Sequence, residues 1–366
     1  MQNKAFVLKS IKNVVFEDRA IKPLGPKELR INIEVTGICG SDVHYWQKGR
    51  IGKFILKDGV DMVLGHESGG TIVEMGSDVP QSANLKVGDR VAIEPGVPCR
   101  FCSLCRDGLY NHCEDMKFAA TPPDDGTLAK YYSVDYDYVY KIPDTMSMEE
   151  AAMVEPVSVA VQIAKRAQLK ATDTVVVFGC GPIGLLCQAV AKAYGCKKVY
   201  GVDISVGRLE FAKTFGADDV YKMPFKNDDE TPEQFAIRVS SDMKKTLGID
   251  VHGADVILEA SGAEPCIQTG VFLARPEARF VQAGMGKEFV NFPVTDALVK
   301  QLNWTGSIRY STGVYPTAVE LVAAGKVDVK RLITNRFKFE DALKAFELVK
   351  EGRTDVIKVI IEGVKD

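Results

Sequence analysis

The chain has 366 residues, 46% hydrophobic and 26% charged, a balance that excludes disordered and fibrous classes and suits a globular protein. A formal net charge of -3 offers no cationic footprint for nucleic acid. No run of about 18 apolar residues is present to span a membrane, and the opening Met1-Gln-Asn-Lys-Ala-Phe6 lacks the apolar core of a secretory signal.

This length predicts about two domains. Nine cysteines is an odd number, four of them clustered and five scattered. That pattern points to reduced thiols and metal ligation in a cytoplasmic protein rather than to a disulfide framework.

The first 160 residues read as β-rich. Leu29, Ile31, Ile33 and Val35 alternate with Arg30, Asn32 and Glu34, the period of a half-buried strand. Val87-Gly-Asp-Arg-Val-Ala-Ile93 reads as a turn leading into another strand. Short strands between glycine and proline signals predict a compact barrel or sandwich. Cys39, His66, Glu67 and Glu155 in this part carry thiolate, imidazole and carboxylate, a donor set that suits zinc. Spacing alone leaves core filling for Cys39 and a turn for Gly65-His-Glu67 equally open.

Cys99-x2-Cys102-x2-Cys105-x7-Cys113 is a sharper signal, four thiols within one loop. Four thiolates in tetrahedral array close a structural zinc site with no open position. Two disulfides, a redox Cys-x-x-Cys or a nucleic-acid zinc knuckle are the alternatives. A reducing compartment opposes the first, and the two further cysteines oppose the second. The acids Asp107, Glu114 and Asp115 oppose the third.

From about residue 160 the pattern alternates strand and helix. Val175-Val-Val-Phe178 runs into Gly179-x-Gly181-x-x-Gly184, an apolar helical stretch over 185–194 follows, and a second strand ends on Asp203. This is the dinucleotide-binding fingerprint. Gly179 makes the tight turn, Gly181 lets the backbone approach a pyrophosphate, and Gly184 lets helix pack on strand. The helix N-terminus offers free N–H groups to the phosphates. Asp203 can accept hydrogen bonds from an adenosine ribose and would repel a 2′-phosphate, which favours NAD over NADP. Arg208 is the counter-argument, as a nearby guanidinium can take that phosphate; packing beside the adenine is its other role. Thr231 reads as an N-cap before Pro232. Strands over 254–260 and 278–284 predict a parallel sheet with helices on both faces. Gly284 and Gly286 follow a strand end, where the nicotinamide half of a dinucleotide lies. Amphipathic stretches over 315–324 and 339–351 and a strand over 356–361 complete the chain.

Several segments together carry a family likeness: Thr36-Gly-Ile-Cys-Gly-Ser-Asp-Val-His-Tyr45, Gly49-Arg-Ile-Gly52, Val63-Leu-Gly-His-Glu-Ser68, Val87-Gly-Asp-Arg-Val-Ala-Ile-Glu-Pro-Gly96, Phe118-Ala-Ala-Thr-Pro-Pro123, Val154-Glu-Pro-Val-Ser-Val159 and Gly306-Ser-Ile-Arg-Tyr310. On these residues the chain resembles the zinc-dependent medium-chain dehydrogenases, in particular the polyol branch of sorbitol, xylitol and arabinitol dehydrogenases, and most of all its fungal xylitol-type members.

The likeness implies an α/β protein with a GroES-like catalytic domain over 1–159 and 303–366 and a doubly wound Rossmann domain over 160–302. It implies a catalytic zinc at Cys39, His66 and Glu155, directly or through water, with Glu67 a ligand or near-ligand. The structural zinc falls to Cys99, Cys102, Cys105 and Cys113. Ser41 and His44 match positions near the reacting hydroxyl and share a proton relay with Glu155, unless they serve only as turn chemistry after Cys39. Tyr45, Arg309 and Tyr310, with Phe118 as an apolar wall and Glu155 beside them, match polyol-binding positions. Strand packing for Tyr310, and a surface ion pair or cofactor contact for Arg309, remain open. The cofactor set is Gly179, Gly181, Ile183, Gly184, Asp203, Arg208, Gly284 and Ile308.

The implied activity is reversible NAD-dependent oxidation of a polyol at C2, xylitol to D-xylulose in the first place and sorbitol or L-arabinitol in the alternative. A small polyol or ketose is then the partner molecule, with two zinc ions per subunit and a homotetramer as the expected assembly. A protein that binds NAD without turnover would have no need of Cys39, His66 and Glu155 together. A zinc-free quinone reductase of the same superfamily would lack them.

Overall fold

The computed structural model describes residues 2–52, 54–57 and 59–365. Its contacts divide the chain into two compact units, residues 1–155 with 311–366, and residues 156–310.

The first unit is built on a seven-stranded sheet. Val139–Lys141, Arg90–Ile93, Glu67–Met75, Glu28–Gly37, Lys358–Glu362 and Ile333–Phe337 lie in that order, and Tyr131–Asp135 also pairs with Glu28–Gly37. The alternation read over 29–35 is the middle of Glu28–Gly37. Leu29, Ile31 and Ile33 are buried with Ile72, Val91, Ile93 and Tyr138. Arg30, on the polar side of the same strand, is buried too and donates to Glu74 at 2.7 Å. A second core gathers Phe6, Leu8, Trp46, Met62, Leu64, Phe339 and Phe346. The C-terminal strand lies inside the sheet, between Glu28–Gly37 and Ile333–Phe337, with Ile360 opposite Gly37 and Ile361 opposite Thr36. Residues from the two ends of the chain thus meet at the strand that leads into Cys39.

The second unit is a six-stranded parallel sheet in the order Asp219–Lys222, Lys198–Asp203, Thr174–Phe178, Ala254–Glu259, Ala274–Gln282 and Asn303–Gly306. Strand order reverses beside Thr174–Phe178, which makes the crevice at its C-terminal end the place for a ligand. Its core holds Val176, Phe178, Val202, Ile257, Val271 and Phe280. Thr231 caps the helix Pro232–Leu247 as read, accepting from Gln234 N at 3.1 Å while the Gln234 side chain accepts from Thr231 N at 2.9 Å.

Several boundaries differ from the sequence expectation, the first domain junction among them, expected at 159/160 and found at 155/156 within the helix Met148–Ala167. Residues 303–310 count with the nucleotide unit rather than the catalytic one, because Asn303–Gly306 hydrogen-bonds as its sixth strand. The helix after the glycine turn is Pro182–Ala193, starting earlier because a proline at its first position needs no N–H partner. The stretch 339–351 is a short 3₁₀ turn, Phe339–Asp341, followed by the helix Ala342–Glu351.

Candidate active site

Cys39 stands at the N-cap of the helix Gly40–Lys48, which starts where Glu28–Gly37 ends. Three residues on, Asp42 folds back as the acid of a capping box. Its Oδ2 accepts from Cys39 N at 3.2 Å, and its Oδ1 accepts from Gly65 N at 3.0 Å and lies 3.4 Å from His66 Nδ1. One buried carboxylate therefore fixes both the Cys39 turn and the His66 loop. At 3.4 Å the carboxylate faces Nδ1 at ion-pair distance without a formed hydrogen bond, and turned this way the ring leaves its opposite nitrogen to ligate a metal.

Ligand atoms of Cys39, His66 and Glu67 lie within 4.8 Å of one another, the one such mixed group among the described residues. Thiol, imidazole and carboxylate at that separation fit a zinc ion with bond lengths of about 2.0–2.3 Å. Burial works to lower the His66 pKa; the charge of Asp42, then its polar contact and that of Cys39, outweigh it and raise the pKa well above the ordinary imidazole value. Glu67 is also engaged elsewhere: Lys358 Nζ donates to both of its oxygens, at 2.6 and 2.7 Å. Glu155, on the helix Met148–Ala167, is buried but outside the close group.

The remaining expected residues of this unit are placed as follows. The Phe118 ring is buried 5.8 Å from the His66 ring, an apolar wall beside the imidazole. Tyr45 is buried on the helix Gly40–Lys48, Ser41 is half-buried, and His44 is exposed. Partial burial and the nearby charge of Lys48 lower the His44 pKa. Sequence reasoning missed Asp42 and Lys358. The Asp three residues after an N-cap was the available signal for the first; nothing in Lys358-Val-Ile-Ile361 announces the second.

The four-cysteine loop forms a second cluster. Cys99, Cys102, Cys105 and Cys113 are all free thiols, and their sulfurs gather as one group. Cys99 Sγ lies 3.9 Å from Cys105 Sγ, and Cys102 Sγ 3.4 Å from Cys105 Sγ. Both exceed any S–S bond by far, whereas a tetrahedron of thiolates at the usual Zn–S length has edges of about 3.8 Å. Backbone N–H groups of Cys102, Cys105 and Cys99 point at Cys99, Cys102 and Cys113 sulfurs respectively, each at 3.4 Å. Arg100 anchors the loop, donating to Asp135 at 2.7 Å and to Asp137 at 2.6 Å. Tyr110 adds a bond to the buried Glu94 at 2.5 Å.

In the nucleotide unit each fingerprint glycine has a measurable reason. Gly179 adopts φ +96°, the left-handed region. A Cβ on Gly184 would fall 1.8 Å from Gly179 O, so helix and turn meet only without a side chain. A Cβ on Gly181 would meet no protein atom within 4 Å, which leaves room there for a pyrophosphate to approach the backbone. Asp203 ends the neighbouring strand, its Oδ2 accepting from Cys180 N at 2.7 Å and its Oδ1 from Ser205 N at 2.9 Å. Ile183 and Arg208 are half-buried near the starts of the helices Pro182–Ala193 and Val206–Phe215. Gly284 follows the strand Ala274–Gln282, and Ile308 is half exposed after the sixth strand. Arg309 takes φ +52° and Tyr310 is buried.

Comparisons with known proteins agree with this geometry. Residues 25–144 match the alcohol dehydrogenase GroES-like domain, and residues 182–324 match the zinc-binding dehydrogenase family. The chain is 50% identical to a D-xylulose reductase A of Aspergillus oryzae and to one of Aspergillus niger, each over 364 residues, 99% of this chain and 97% of the relative. Among solved structures it is similar to L-idonate 5-dehydrogenase of Escherichia coli, with a TM-score of 0.86, 28% identity and coverage of 99% and 98% of the two chains. It is also similar to 2R,3R-butanediol dehydrogenase of Bacillus subtilis, with a TM-score of 0.85, 28% identity and coverage of 99% and 100%.

Proposed function

Since the chain belongs to the zinc-binding dehydrogenase family, with a GroES-like domain preceding its nucleotide-binding part, we propose that it oxidises the C2 hydroxyl of a linear polyol reversibly with NAD, xylitol to D-xylulose. The observation that carries this reading is the 50% identity along the whole chain to fungal D-xylulose reductases. The metal cluster at Cys39 and His66 and the glycine cradle beside Asp203 support it independently.

Cys39 and His66 would hold a zinc ion, which would supply Lewis acidity to a hydroxyl beside it. The chain's own residues do the rest. Asp42 orients His66, and Phe118 excludes water on one side of the imidazole. Ser41, Glu155 and His44 are assigned to the outward passage of the proton, with His44 facing solvent at its end. Glu155 and Glu67 complete the metal's surroundings, Glu67 as the countercharge of Lys358. Tyr45, Arg309 and Tyr310, with Glu155, are assigned to the polyol hydroxyls, and Ile308 and Gly284 to the nicotinamide half of NAD. Cys99, Cys102, Cys105 and Cys113 would hold a second zinc, which would cross-link their loop.

We assign the protein to the cytoplasm, as free thiols suggest; among the described residues no helix is long and apolar enough to cross a membrane. A homotetramer is the proposed assembly. Phe289, Val294, Leu298 and Val299 are exposed between the strands Ala274–Gln282 and Asn303–Gly306, an apolar patch of the kind that subunit contacts cover.

The test is an initial-rate panel of xylitol, sorbitol, L-arabinitol and ribitol, each with NAD and NADP. Xylitol with NAD should give the highest kcat/KM. A lead for sorbitol or L-arabinitol would move the substrate assignment, and equal rates with NADP would overturn the role of Asp203.

A further inference from the structure

Glu259 ends the strand Ala254–Glu259 and is wholly buried. Buried carboxylates are costly unless their acceptor capacity is filled. Here it is filled by the ends of two adjacent strands and the turn after the first. Oε1 accepts from Ser261 N at 2.9 Å and Gly262 N at 3.0 Å, and from the Ser261 hydroxyl. Oε2 accepts from Gly262 N at 2.9 Å and from Gln282 Nε2 at 2.7 Å. Gln282 Nε2 also donates to Gly284 O at 2.8 Å, and the Glu259 backbone carbonyl accepts from Ala283 N and Gly284 N, both at 2.8 Å. The loops after two adjacent strands are thus pinned to a single side chain.

Those loops also interlock. Gly262 takes φ +71°. A Cβ on Gly284 would lie 2.2 Å from Gly262 N, and one on Gly286 would lie 1.8 Å from Gly262 O. Two backbones this close leave no side chain between them, so their mutual position depends on the carboxylate beneath.

The sheet order says which part of a dinucleotide lies above. Asp203, for the adenosine ribose, ends the strand on one side of Gly179-x-Gly181; Glu259 and Gln282 end the first and second strands on the other. A dinucleotide whose pyrophosphate sits at the glycine turn extends its second nucleotide across these two strand ends.

We propose that Glu259 is a positioning residue for the nicotinamide half of NAD, holding Ser261–Gly262 and Ala283–Gly286 as one rigid platform through Gln282. This rests on the NAD reading above. Glu259→Gln sets an amide NH2 against N–H groups that need an acceptor, which loosens the platform and leaves the adenosine side untouched.

The test compares NADH with ADP-ribose, which lacks the nicotinamide ring, on the zinc-loaded enzyme. NADH binding is read by its fluorescence and ADP-ribose binding by calorimetry, with zinc content measured alongside. In Glu259→Gln the NADH Kd should rise about tenfold or more, the cost of a charged hydrogen bond, while the ADP-ribose Kd stays within about twofold. Gln282→Leu, which leaves Glu259 in place, should show the same selectivity to a smaller degree and serves alone if Glu259→Gln does not fold. Equal weakening of both ligands would overturn the proposal and show that the carboxylate acts on the Gly179 turn, whose built Cβ lies 3.1 Å from Ser261 N. No weakening of either would also overturn it. A wild type that binds ADP-ribose without preferring NADH would remove the NAD reading itself, and the proposal with it.

Discussion

The Lys358 ammonium sits 2.6 Å from one oxygen of Glu67 and 2.7 Å from the other, with the two side chains only 4% and 2% exposed. This pair joins the last strand of the chain to the residue that follows His66. Burial works to lower the Lys358 pKa, but the charges of Glu67 and then Cys39 outweigh it, so the lysine is held above its ordinary value as a cation. The metal cluster is therefore built around a fixed positive charge that reaches it from 291 residues away in sequence.

Removing one partner should cost more than removing both. Lys358→Met leaves the Glu67 carboxylate buried and unpaired, a loss of about 3–5 kcal/mol in unfolding free energy. Adding Glu67→Gln to it should recover a good part. Urea unfolding of the single and double variants measures this, and a double variant no more stable than Lys358→Met would refute the pairing as the cause.

The two zinc ions should separate by mutation. Cys102→Ser should lose one zinc and lower Tm, because the loop that Arg100 and Tyr110 anchor loses its cross-link. Cys39→Ser should lose the other zinc and the activity with a much smaller change in Tm. Metal analysis decides the point, and a wild type carrying one zinc would refute the scheme.

Substrate choice should depend on Arg309. A guanidinium bonds hydroxyls that simple alcohols lack, and a site built for such bonds discriminates strongly against ligands without them. Arg309→Ala should reduce kcat/KM for xylitol about a hundredfold while zinc content is retained. Turnover of 2-propanol at the rate of xylitol, or full xylitol activity in Arg309→Ala, would remove the polyol assignment.

Stability should also fall with rising pH through one buried acid. Burial pushes the Glu94 carboxyl up to about 7, although the phenols of Tyr110 and Tyr140 donate to it at 2.5 and 2.8 Å and pull the other way; Asp137 adds a small upward push. The folded state then holds a proton that the unfolded chain releases above its ordinary value of 4.5. By linkage the protein loses stability as pH climbs between those two values, by up to about 3 kcal/mol. Glu94→Gln should flatten that part of the profile; an unchanged slope in denaturant unfolding between pH 5 and about 7 would assign it to other groups.

Local pattern determined a large part of this protein. The glycine fingerprint, its helix and Asp203 are one continuous segment, so turn geometry and the strand period place them without reference to the remaining chain. The four thiols of Cys99 to Cys113 belong to one loop and announce their cluster by spacing alone. Cys39, His66 and Glu155 were legible as donor types and, through the family likeness, as a set with Glu67 as ligand or near-ligand, whereas the close group in the structure is Cys39, His66 and Glu67. Their convergence within 4.8 Å depends on strand Glu28–Gly37 pairing with Glu67–Met75, Gly37 opposite Glu67. Tertiary structure alone decided the rest. Lys358 looks like the polar start of an apolar strand, and only the pairing of Lys358–Glu362 with Glu28–Gly37 brings it to Glu67. Glu259 looks like one acid at a strand end, and only parallel pairing with Ala274–Gln282 sets Gln282 beside it. Residues 303–310 read as a return to the first domain, yet the free edge of the parallel sheet captured Asn303–Gly306. In each case the deciding force is a backbone ladder between segments distant in sequence, whose partners no local period can name.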